Sequence, residues 1–397
     1  MRITYVTHTR FPTEKAHGHQ IAQVCAAMRQ LGHEVTLVHP NVWTQVQGDP
    51  CRYYGVSAPF TVKRLNSLDA LQKWWIPGYF AFAISMWSYR RVLRTFLKTH
   101  EADLFYCRSW EVVGELLRTG TSVHMELHTL PRMNRKTFVK YCNQCTKIIC
   151  LTSMMRDAIV RWGVDAKKTM VEPDGVDLDR FASLPETEVS KSEFDVPSNR
   201  WVIGYVGSLV TRSIIEKGMR ELVQALAIIK RGEAKFFGWI VGGPDAYIGE
   251  YKRQAQKLGL TQDDVRFEGQ ILSSRVSHTI AACDVCVYPA PRDAEKHAYF
   301  MRDTSPLKLF EYLAAGKPVV CSDIPPIRDT VDESMVTFCK AGDPRSMADA
   351  IEWVLNHPEE AQRKAQRGKE HVKRFDWKER MKRILSHFPL PAGAPPP

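Results

Sequence analysis

The sequence predicts an α/β protein that is built from two similar domains. Its 397 residues compare with roughly 150 for a typical domain, so two or three hydrophobic cores are expected. Short β-branched or aromatic runs alternate with amphipathic helical stretches, which is the pattern of parallel βαβ units. This series starts at Ile3 and starts again at Trp201, so we interpret each start as the first strand of a Rossmann-like domain.

The first series is interrupted by one turn-rich loop. A strand over 3–7 leads into that loop, which runs to Gly18, and a helix is predicted from about Gln20 to Leu31. The strands predicted in this half cover residues 3–7, 34–38, 104–106, 123–127 and 147–150.

The second series repeats the alternation. Its predicted strands cover residues 201–206, 236–241, 265–267 and 285–288, and its predicted helices cover 218–229, 251–258 and 276–282. Between the two series, residues 184–199 are polar and contain two prolines, which is typical of a linker. The domain boundary is therefore predicted near residue 190. The Pro/Ala/Gly-rich tail over 389–397 is predicted to be disordered.

Composition excludes several classes of protein. A hydrophobic share of 44% is ordinary for a globular chain, and no apolar run reaches the roughly 18 residues of a membrane-spanning helix. Met1 leads directly into a predicted strand, so no cleavable signal is expected. Ten cysteines in 397 residues are too few for a disulfide scaffold, which favours reduced thiols in a cytoplasmic protein.

The net charge of +11 has a local origin. Residues 61–100 hold seven basic residues and one acidic residue. A basic chain can bind nucleic acid, a membrane surface or an anionic small molecule, and a concentrated patch favours one surface over a diffuse field.

The most informative segment is 303–320, DTSPLKLFEYLAAGKPVV. Ser305 is suited to capping a helix, Pro306 suits its first turn, and Gly316 is suited to ending it. The start of such a helix favours an anion such as a diphosphate. Glu311 is a polar residue on a mostly apolar helix, and a ribose diol would supply its hydrogen bonds. The alternative is an ordinary capped helix with an exposed glutamate.

The spacing of this segment resembles a known family. Asp303 and Glu311 are an acidic pair with seven residues between them, similar to the Glu-x7-Glu signature of retaining GT-B glycosyltransferases, especially glycosyltransferase family four. Further similarities follow in the family's order, at 173–181 (PDGVDLDRF), at 207–209 (GSL) with 216–218 (EKG), at 265–269 (VRFEG) and at 374–377 (RFDW).

The resemblance implies a GT-B fold, with two Rossmann-like domains that face each other across a cleft. Residues 1–190 would form the acceptor-binding domain, completed by the C-terminal helix around 375–388. Residues 191–374 would bind the nucleotide sugar. No bound cofactor or metal is expected, because the nucleotide diphosphate sugar is itself a substrate.

The resemblance also implies roles for individual residues. Glu311 would bind the ribose, Asp303 would lie near the donor sugar, and Lys217 with Arg212 would neutralise the diphosphate, whose charge grows as the glycosidic bond breaks. The residues carried over as donor-binding are Gly18, Gly207, Ser208, Arg212, Lys217, Phe267, Ser305, Pro306, Leu307 and Glu311. The sequence departs from the family at Ser208, where arginine is common, and at Asp303, where glutamate is common. A solvated helix entrance remains the alternative for Lys217 and Arg212.

His128 follows the predicted strand 123–127, beyond whose carboxyl end a ligand is expected to bind. The family often has a histidine here that contacts the reacting sugar, so the resemblance makes His128 a catalytic candidate beside Asp303, Lys217 and Glu311. A structural histidine is the alternative. His124, Glu126 and His128 alternate along one strand face, but this is not a specific metal pattern.

Two Cys-x-x-Cys pairs, Cys142 with Cys145 and Cys283 with Cys286, invite a zinc interpretation. The second pair reads as a helix end that runs into a buried strand, where small thiols act as core residues. We therefore expect no zinc site.

Residues 74–98 combine aromatic side chains with the basic residues Arg90, Arg91, Arg94 and Lys98. This composition favours a helix at a membrane surface, with rings among the headgroups and cations near anionic lipids. A helix packed within the domain is the alternative. No recognised nucleic-acid module accompanies the patch, so nucleic acid is not an expected partner.

The resemblance thus implies a metal-independent, hexosyltransferase-like enzyme in the cytoplasm, and the composition of residues 74–98 favours contact with the inner face of a membrane. The enzyme would move a sugar from a nucleotide diphosphate sugar to a saccharide or lipid-linked acceptor, in surface polysaccharide or glycolipid biosynthesis. A GT-B nucleotide-sugar epimerase would instead release a rearranged sugar without an acceptor. An inactive sugar-nucleotide-binding scaffold would bind the donor without turnover.

Overall fold

A computed structural model describes residues 1–211, 215–232 and 235–386. The chain divides into two compact units, of which the first comprises residues 1–174 with the segment from Trp377 onward, and the second comprises residues 175–376. Each unit is an α/β domain around a parallel sheet, which confirms the predicted fold class. The predicted tail over 389–397 lies outside the described residues.

The first unit contains a seven-stranded parallel sheet in its described part. Its strands are β1 (Arg2–Val6), β2 (Glu34–Pro40), β3 (Thr61–Leu65), β4 (Leu104–Cys107), β5 (Ser122–Leu127), β6 (Lys147–Cys150) and β7 (Thr169–Val171). The helices between them are α1 (Ala16–Gln30), α2 (Pro50–Tyr54), α3 (Gly78–Leu97), α4 (Trp110–Leu117), α5 (Arg135–Gln144) and α6 (Ser153–Arg161). The strand order is β3-β2-β1-β4-β5-β6-β7, so the winding direction reverses between β1 and β4.

The second unit contains a six-stranded parallel sheet and a small antiparallel pair. Its strands are β8 (Trp201–Val206), β9 (Val210–Thr211), β10 (Ile215–Glu216), β11 (Phe236–Val241), β12 (Val265–Glu268), β13 (Val285–Tyr288), β14 (Val319–Asp323) and β15 (Thr337–Lys340). Its helices are α7 (Thr187–Glu193), α8 (Met219–Ile229), α9 (Ile248–Lys257), α10 (Val276–Ala281), α11 (Leu307–Ala314), α12 (Pro325–Arg328), α13 (Pro344–Asn356) and α14 (Pro358–Val372). The order β12-β11-β8-β13-β14-β15 reverses between β8 and β13.

The boundary between the units lies after Asp174, earlier than residue 190. The segment 184–199, which was predicted as a linker, packs on the second unit, because Val196 lies in its hydrophobic core and Leu184 and Phe194 pack against that core. The same segment forms α7, whose buried Lys191 pairs with Asp284 at 2.9 Å. The polar composition of this segment did not distinguish the surface helix α7 from a linker.

The chain returns to the first unit through α15 (Trp377–Ser386). Arg380 on this helix is fully buried and pairs with Glu126 at 3.1 Å, while it also donates to the carbonyl oxygens of Glu172 and Pro173. Arg383 adds a bidentate pair with the Glu172 carboxylate at 2.8 and 3.0 Å. The predicted helix around 375–388 therefore begins at Trp377 and is held by a buried ion pair.

The cysteines are core residues. All ten are free and buried, and the two Cys-x-x-Cys pairs lie in different units, among aliphatic and aromatic neighbours. Burial raises the pKa of the Cys142 thiol, so this thiol stays protonated at neutral pH.

 

The buried cysteines therefore act as small side chains that fill the two cores, as expected for the second Cys-x-x-Cys pair from its position at a helix end and on a strand.

The long helix α3 has two different halves. Around its start the side chains of Trp74, Trp75, Tyr79, Phe80 and Trp87 are 61% to 94% exposed, and we call these five residues the aromatic surface. No helix in the described part of the chain is both long and apolar enough to cross a bilayer.

The second half of α3 is tied to α4. Arg90 and Arg94 both pair with Glu115, at 3.2 and 2.9 Å, and the Glu115 carboxylate is fully buried. Two of the four cations that the sequence assigned to a lipid surface thus hold two helices together, while Arg91 and Lys98 remain exposed.

Candidate active site

The candidate ligand site of the second unit lies at the edge of its sheet where the winding direction reverses. Ligands bind beyond the carboxyl ends of the strands at such a switch point, here between β8 and β13. Lys217 follows β8 and precedes α8, and Lys308 lies in the first turn of α11, which follows β13. The fold therefore brings two cationic side chains to one edge of the sheet.

Glycines allow the backbone to close up at this edge. Gly207 has φ +149°, and a Cβ there would lie 2.2 Å from Cδ of Lys308. Gly242, after the neighbouring strand β11, has φ +146°, and its Cβ would lie 1.9 Å from the Gly207 carbonyl oxygen. A side chain at Gly242 would overlap the backbone, and one at Gly207 would displace Lys308, so glycine suits both positions, whose positive φ values other residues rarely adopt.

Lys217 is buried and rests on aromatic rings. Its Nζ donates to the Tyr299 hydroxyl, and it lies 3.7 Å from the centre of the Tyr299 ring and 5.7 Å from that of Phe300. Ser208, which was predicted to contact the donor, donates its hydroxyl to the Val210 carbonyl oxygen at 2.6 Å. Arg212, the other predicted phosphate ligand, lies outside the described residues.

Lys308 is a site residue that sequence reasoning missed. Its Nζ donates to the Tyr205 hydroxyl at 2.6 Å and lies 4.6 Å from the centre of that ring. Burial and the nearby positive charge of Lys217 lower the pKa of Lys308 to about 7. The available signal was its position three residues before Glu311, which puts both side chains on one helix face.

Glu311 lies on this face of α11 and is partly buried. Burial raises its pKa, and the positive charges of Arg180 and Lys308 partly offset that rise. Among the described residues, no group hydrogen-bonds to its carboxylate oxygens. A partly buried carboxylate with open oxygens is suited to accept hydrogen bonds from a ligand's hydroxyls.

Asp303 is held by its neighbour. Arg302 donates to both carboxylate oxygens of Asp303, at 2.6 and 3.1 Å, and Asp303 is 8% exposed. The two residues close a short π-helix over Tyr299–Asp303 that leads into α11. Asp303 is thus oriented by an arginine that the acidic spacing alone did not indicate.

The start of α11 differs from the prediction by one position. The helix begins at Leu307, Pro306 is its N-cap, and no side chain caps it, so the expected cap by Ser305 is wrong. Proline has no N–H and its φ of −86° suits this entry, which moved the start of the helix. Ser305, Pro306 and Leu307 still lie at the carboxyl edge of the sheet.

Phe267, predicted to bind the donor, belongs to β12, and its side chain packs in the hydrophobic core and is 8% exposed. Its side chain is committed to packing. Its backbone, near the carboxyl end of that strand, is the part of the residue that a ligand can reach.

In the first unit, His128 follows β5 and is anchored by a buried carboxylate. Its Nε2 lies 2.8 Å from Glu126 Oε1, and Gln20 donates to the same oxygen at 2.8 Å. Burial alone would raise the pKa of Glu126, but Arg380 and the hydrogen bonds from His128 and Tyr106 outweigh it and lower the pKa. His128 therefore faces an ionised partner in a fixed orientation.

Gly18 lies inside the first turn of α1, which begins at Ala16, and not in the preceding loop as predicted. A Cβ at Gly18 would lie 2.1 Å from the Tyr54 hydroxyl and 2.7 Å from Cγ2 of Thr13. Close packing against these two side chains accounts for the glycine.

Glu126, His128 and Asp174 each present one metal-ligand atom, and these atoms lie within 4.8 Å of one another. The guanidinium of Arg380 lies 3.1 Å from Glu126 and supplies the positive charge in this cluster. A cation would have to compete with that arginine.

Two family profiles match the chain. Residues 18–180 match the profile described as Glycosyltransferase Family 4, and residues 200–357 match the profile described as Glycosyl transferases group 1. The two matches fall on the two α/β units.

Curated relatives are similar over part of their length. A D-inositol 3-phosphate glycosyltransferase of Geodermatophilus obscurus is 26% identical over 241 residues, which cover 59% of this chain and 50% of the relative. A phosphatidyl-myo-inositol mannosyltransferase of Mycobacterium leprae is 27% identical over 233 residues, with coverages of 56% and 54%. The chain thus spans about half the length of the curated relatives that it matches.

Solved structures share the fold. The structure of Anabaena Alr3699/HepE in complex with UDP and glucose matches with a TM-score of 0.71 at 18% identity, covering 97% of this chain and 99% of that chain. This likeness confirms the predicted GT-B fold.

Proposed function

Because the chain belongs to glycosyltransferase family 4, we propose that it transfers a sugar from a nucleotide diphosphate sugar to a saccharide or lipid-linked acceptor. The observation that carries the proposal is that Lys217 and Glu311 both lie near Lys308 at the switch point of the second sheet. A cation suits a diphosphate there, and a carboxylate with open oxygens suits a ribose diol.

The proposed mechanism retains the configuration of the sugar. The acceptor hydroxyl attacks the face from which the diphosphate leaves, and a donor phosphate oxygen takes the hydroxyl proton, so no protein nucleophile is needed. Lys217 stabilises the negative charge that develops on the leaving group. Asp303, oriented by Arg302, contacts the donor sugar. His128, oriented by Glu126, is the catalytic candidate of the first unit.

Donor identity is tested first by thermal shift with UDP-, GDP- and ADP-sugars, because a ligand of the folded state raises its melting temperature. UDP-glucose is included because Anabaena Alr3699/HepE binds UDP and glucose. Acceptors that contain inositol belong in the transfer assay, since both curated relatives carry inositol in their names. NMR of the product reports the anomeric configuration, and inversion would overturn the mechanism.

Glu311→Gln tests the ribose role, since it removes the charge and preserves the shape. We expect donor affinity to fall about tenfold or more, because one charge-assisted hydrogen bond is lost. Glu333→Gln, which changes an exposed carboxylate in the same unit, is the matched control and should bind normally. Full activity of Glu311→Gln with its best donor would refute this assignment.

We propose that the enzyme requires no metal, since Lys217 supplies the charge that a divalent cation would supply at the diphosphate. EDTA should leave the transfer rate unchanged. The epimerase and scaffold alternatives are separated by the same assays, because an epimerase converts the donor without an acceptor and a scaffold binds it without turnover.

We also propose that the aromatic surface contacts a lipid bilayer at its cytoplasmic side. Its rings suit the headgroup region, and the exposed Arg91 and Lys98 on α3 suit anionic lipids. The ten free thiols suit a reducing compartment.

Vesicle flotation tests this contact. The protein should float with vesicles that contain phosphatidylglycerol and less with pure phosphatidylcholine. The double change Trp74→Ala and Trp75→Ala should reduce the bound fraction severalfold, because it removes two interfacial rings. Trp201→Ala, an exposed tryptophan of the second unit, is the control. Equal binding by both variants would refute the proposed surface.

A further inference from the structure

Lys308 is held in place by its surroundings more firmly than a solvated lysine would be. Gly207 leaves the space in which the Lys308 chain lies, since a Cβ there would lie within 2.2 Å of Cδ. The Tyr205 hydroxyl, on β8, accepts a hydrogen bond from Nζ at 2.6 Å. The ring centre of Tyr288, on β13, lies 5.7 Å from Nζ. The ammonium is thus fixed at the carboxyl edge of the sheet.

Lys217 reaches the same edge from the neighbouring loop. Its charge is one of the causes that lower the pKa of Lys308, and Tyr299, which Lys217 contacts, also acts on Lys308. The groups that face Lys308 are therefore Lys217, Tyr205, Tyr288, Tyr299 and Glu311.

This set of neighbours leaves Lys308 short of negative charge. Burial keeps the Tyr205 and Tyr288 phenols protonated by raising the pKa of each well above 10. The carboxylate of Glu311 is the one acidic group among those neighbours, and burial raises its pKa as well. An anion that bridges both lysines would remove their mutual repulsion and would favour the protonated amine.

We propose that Lys308 is a second cation of the donor-diphosphate site and that its neutral form takes up a proton from solvent when a nucleotide diphosphate sugar binds. The proposal rests on the proposed function and deepens it. The neutral amine and a proton give an ammonium, which pairs with a diphosphate oxygen, and no covalent bond of the donor changes in this step.

The pH dependence follows from the protonation state of Lys308, which differs between the empty site and the occupied site. With a pKa of about 7, Lys308 is about half charged in the empty site at pH 7 and about one-tenth charged at pH 8. Binding should therefore take up about 0.5 proton at pH 7 and about 0.9 proton at pH 8. Affinity should be constant below the free-site pKa and should fall by up to about tenfold per pH unit above it.

Calorimetry in pairs of buffers with different ionisation enthalpies measures this proton uptake. UDP-glucose, GDP-mannose and ADP-glucose are titrated, since their diphosphate diesters do not titrate between about pH 6 and about pH 8. Lys308→Arg keeps a cation that is always charged, so it should bind the donor with no proton uptake. Lys308→Met should lose both the uptake and about tenfold in affinity at pH 6.5.

Lys317→Met is the matched control, because Lys317 is also buried with a lowered pKa but donates to Thr187 and to the Ala281 carbonyl oxygen. It should keep the proton uptake of the wild type. If Lys308→Met does not fold, the wild-type and Lys308→Arg titrations decide the question alone.

The outcomes separate the two proposals. If no nucleotide sugar binds the wild type, the proposed function fails and this inference fails with it. If a nucleotide sugar binds without proton uptake, or if Lys308→Arg or a folded Lys308→Met keeps the uptake, only the assignment of Lys308 is overturned.

Discussion

Gly207 affects both the local backbone conformation and the position of the Lys308 side chain. Gly207→Ala is unfavourable for two reasons. A φ of +149° is strained for alanine, and the new Cβ would lie 2.2 Å from Lys308 Cδ. We expect a loss of about 1–3 kcal/mol in the free energy of unfolding, together with weaker donor binding as Lys308 is displaced. Urea unfolding and donor titration measure the two effects. Gly259→Ala, at φ +82° in open space, is the control and should lose stability alone.

His39 makes stability depend on pH. It is buried on β2, and burial lowers its pKa to about 4. Between about pH 6.5 and about pH 4 the unfolded chain therefore binds a proton that the folded chain does not, so stability falls as pH falls, by about 3 kcal/mol in all. His39→Gln should reduce this slope in urea unfolding of the first unit. The exposed His357→Gln should not, and an unchanged slope in His39→Gln would contradict the prediction.

At the residue scale, sequence indicated the acidic pair and Lys217 but not their partners. The apolar stripe of the segment 303–320 did not indicate a role for Lys308. Its position three residues before Glu311 did carry that signal. Arg302 was passed over because adjacent residues of a helix usually diverge, whereas the π-turn here brings Arg302 onto Asp303. Such contacts depend on local backbone geometry that spacing does not encode.

Two arginines one turn apart on α15 allow a matched comparison of ion pairs. Arg380 is fully buried with Glu126, whereas Arg383 pairs with Glu172 at the surface edge, with side chains 34% and 11% exposed. Arg380→Met should cost about 3–5 kcal/mol, because it removes the arginine that compensates the buried Glu126 carboxylate. Arg383→Met should cost about 1 kcal/mol or less. Equal losses in urea unfolding would contradict the role given to burial.

Elements with a strong hydrophobic period were predicted well, and marginal ones were missed. The buried strands β8, β11 and β13 consist largely of apolar residues, and the predicted spans match them. The edge strand β3 (TVKRL) is mostly exposed and reads as polar, so its sequence carries no burial signal. Its pairing with β2 is a long-range contact, which a local pattern cannot reveal.

At the scale of the whole molecule, the proposed donor site and the hydrogen-bond network of His128 belong to different units. Adding UDP-glucose, or the nucleotide sugar that binds best, should therefore slow hydrogen exchange in 201–211 and 299–314 most strongly, since a ligand protects the backbone that it orders. The sheet of the first unit, around β2, should change least. Protection confined to the first unit would contradict the location of the donor site.

The two-domain organisation was predictable because each half repeats the same alternation around its own core. The boundary was not, because the chain leaves the first unit at Asp174 and its next residues pack on the second. The return of α15 through the buried Arg380 joins residues more than 200 positions apart in the sequence.

The burial of all ten thiols has a practical consequence for spectroscopy. A folded chain whose own cysteines are shielded offers few reactive sulfurs to a maleimide dye, so a cysteine introduced in place of exposed Tyr79 should be labelled selectively under native conditions. A polarity-sensitive fluorophore at that position would report bilayer insertion directly, without removing any native cysteine from either core.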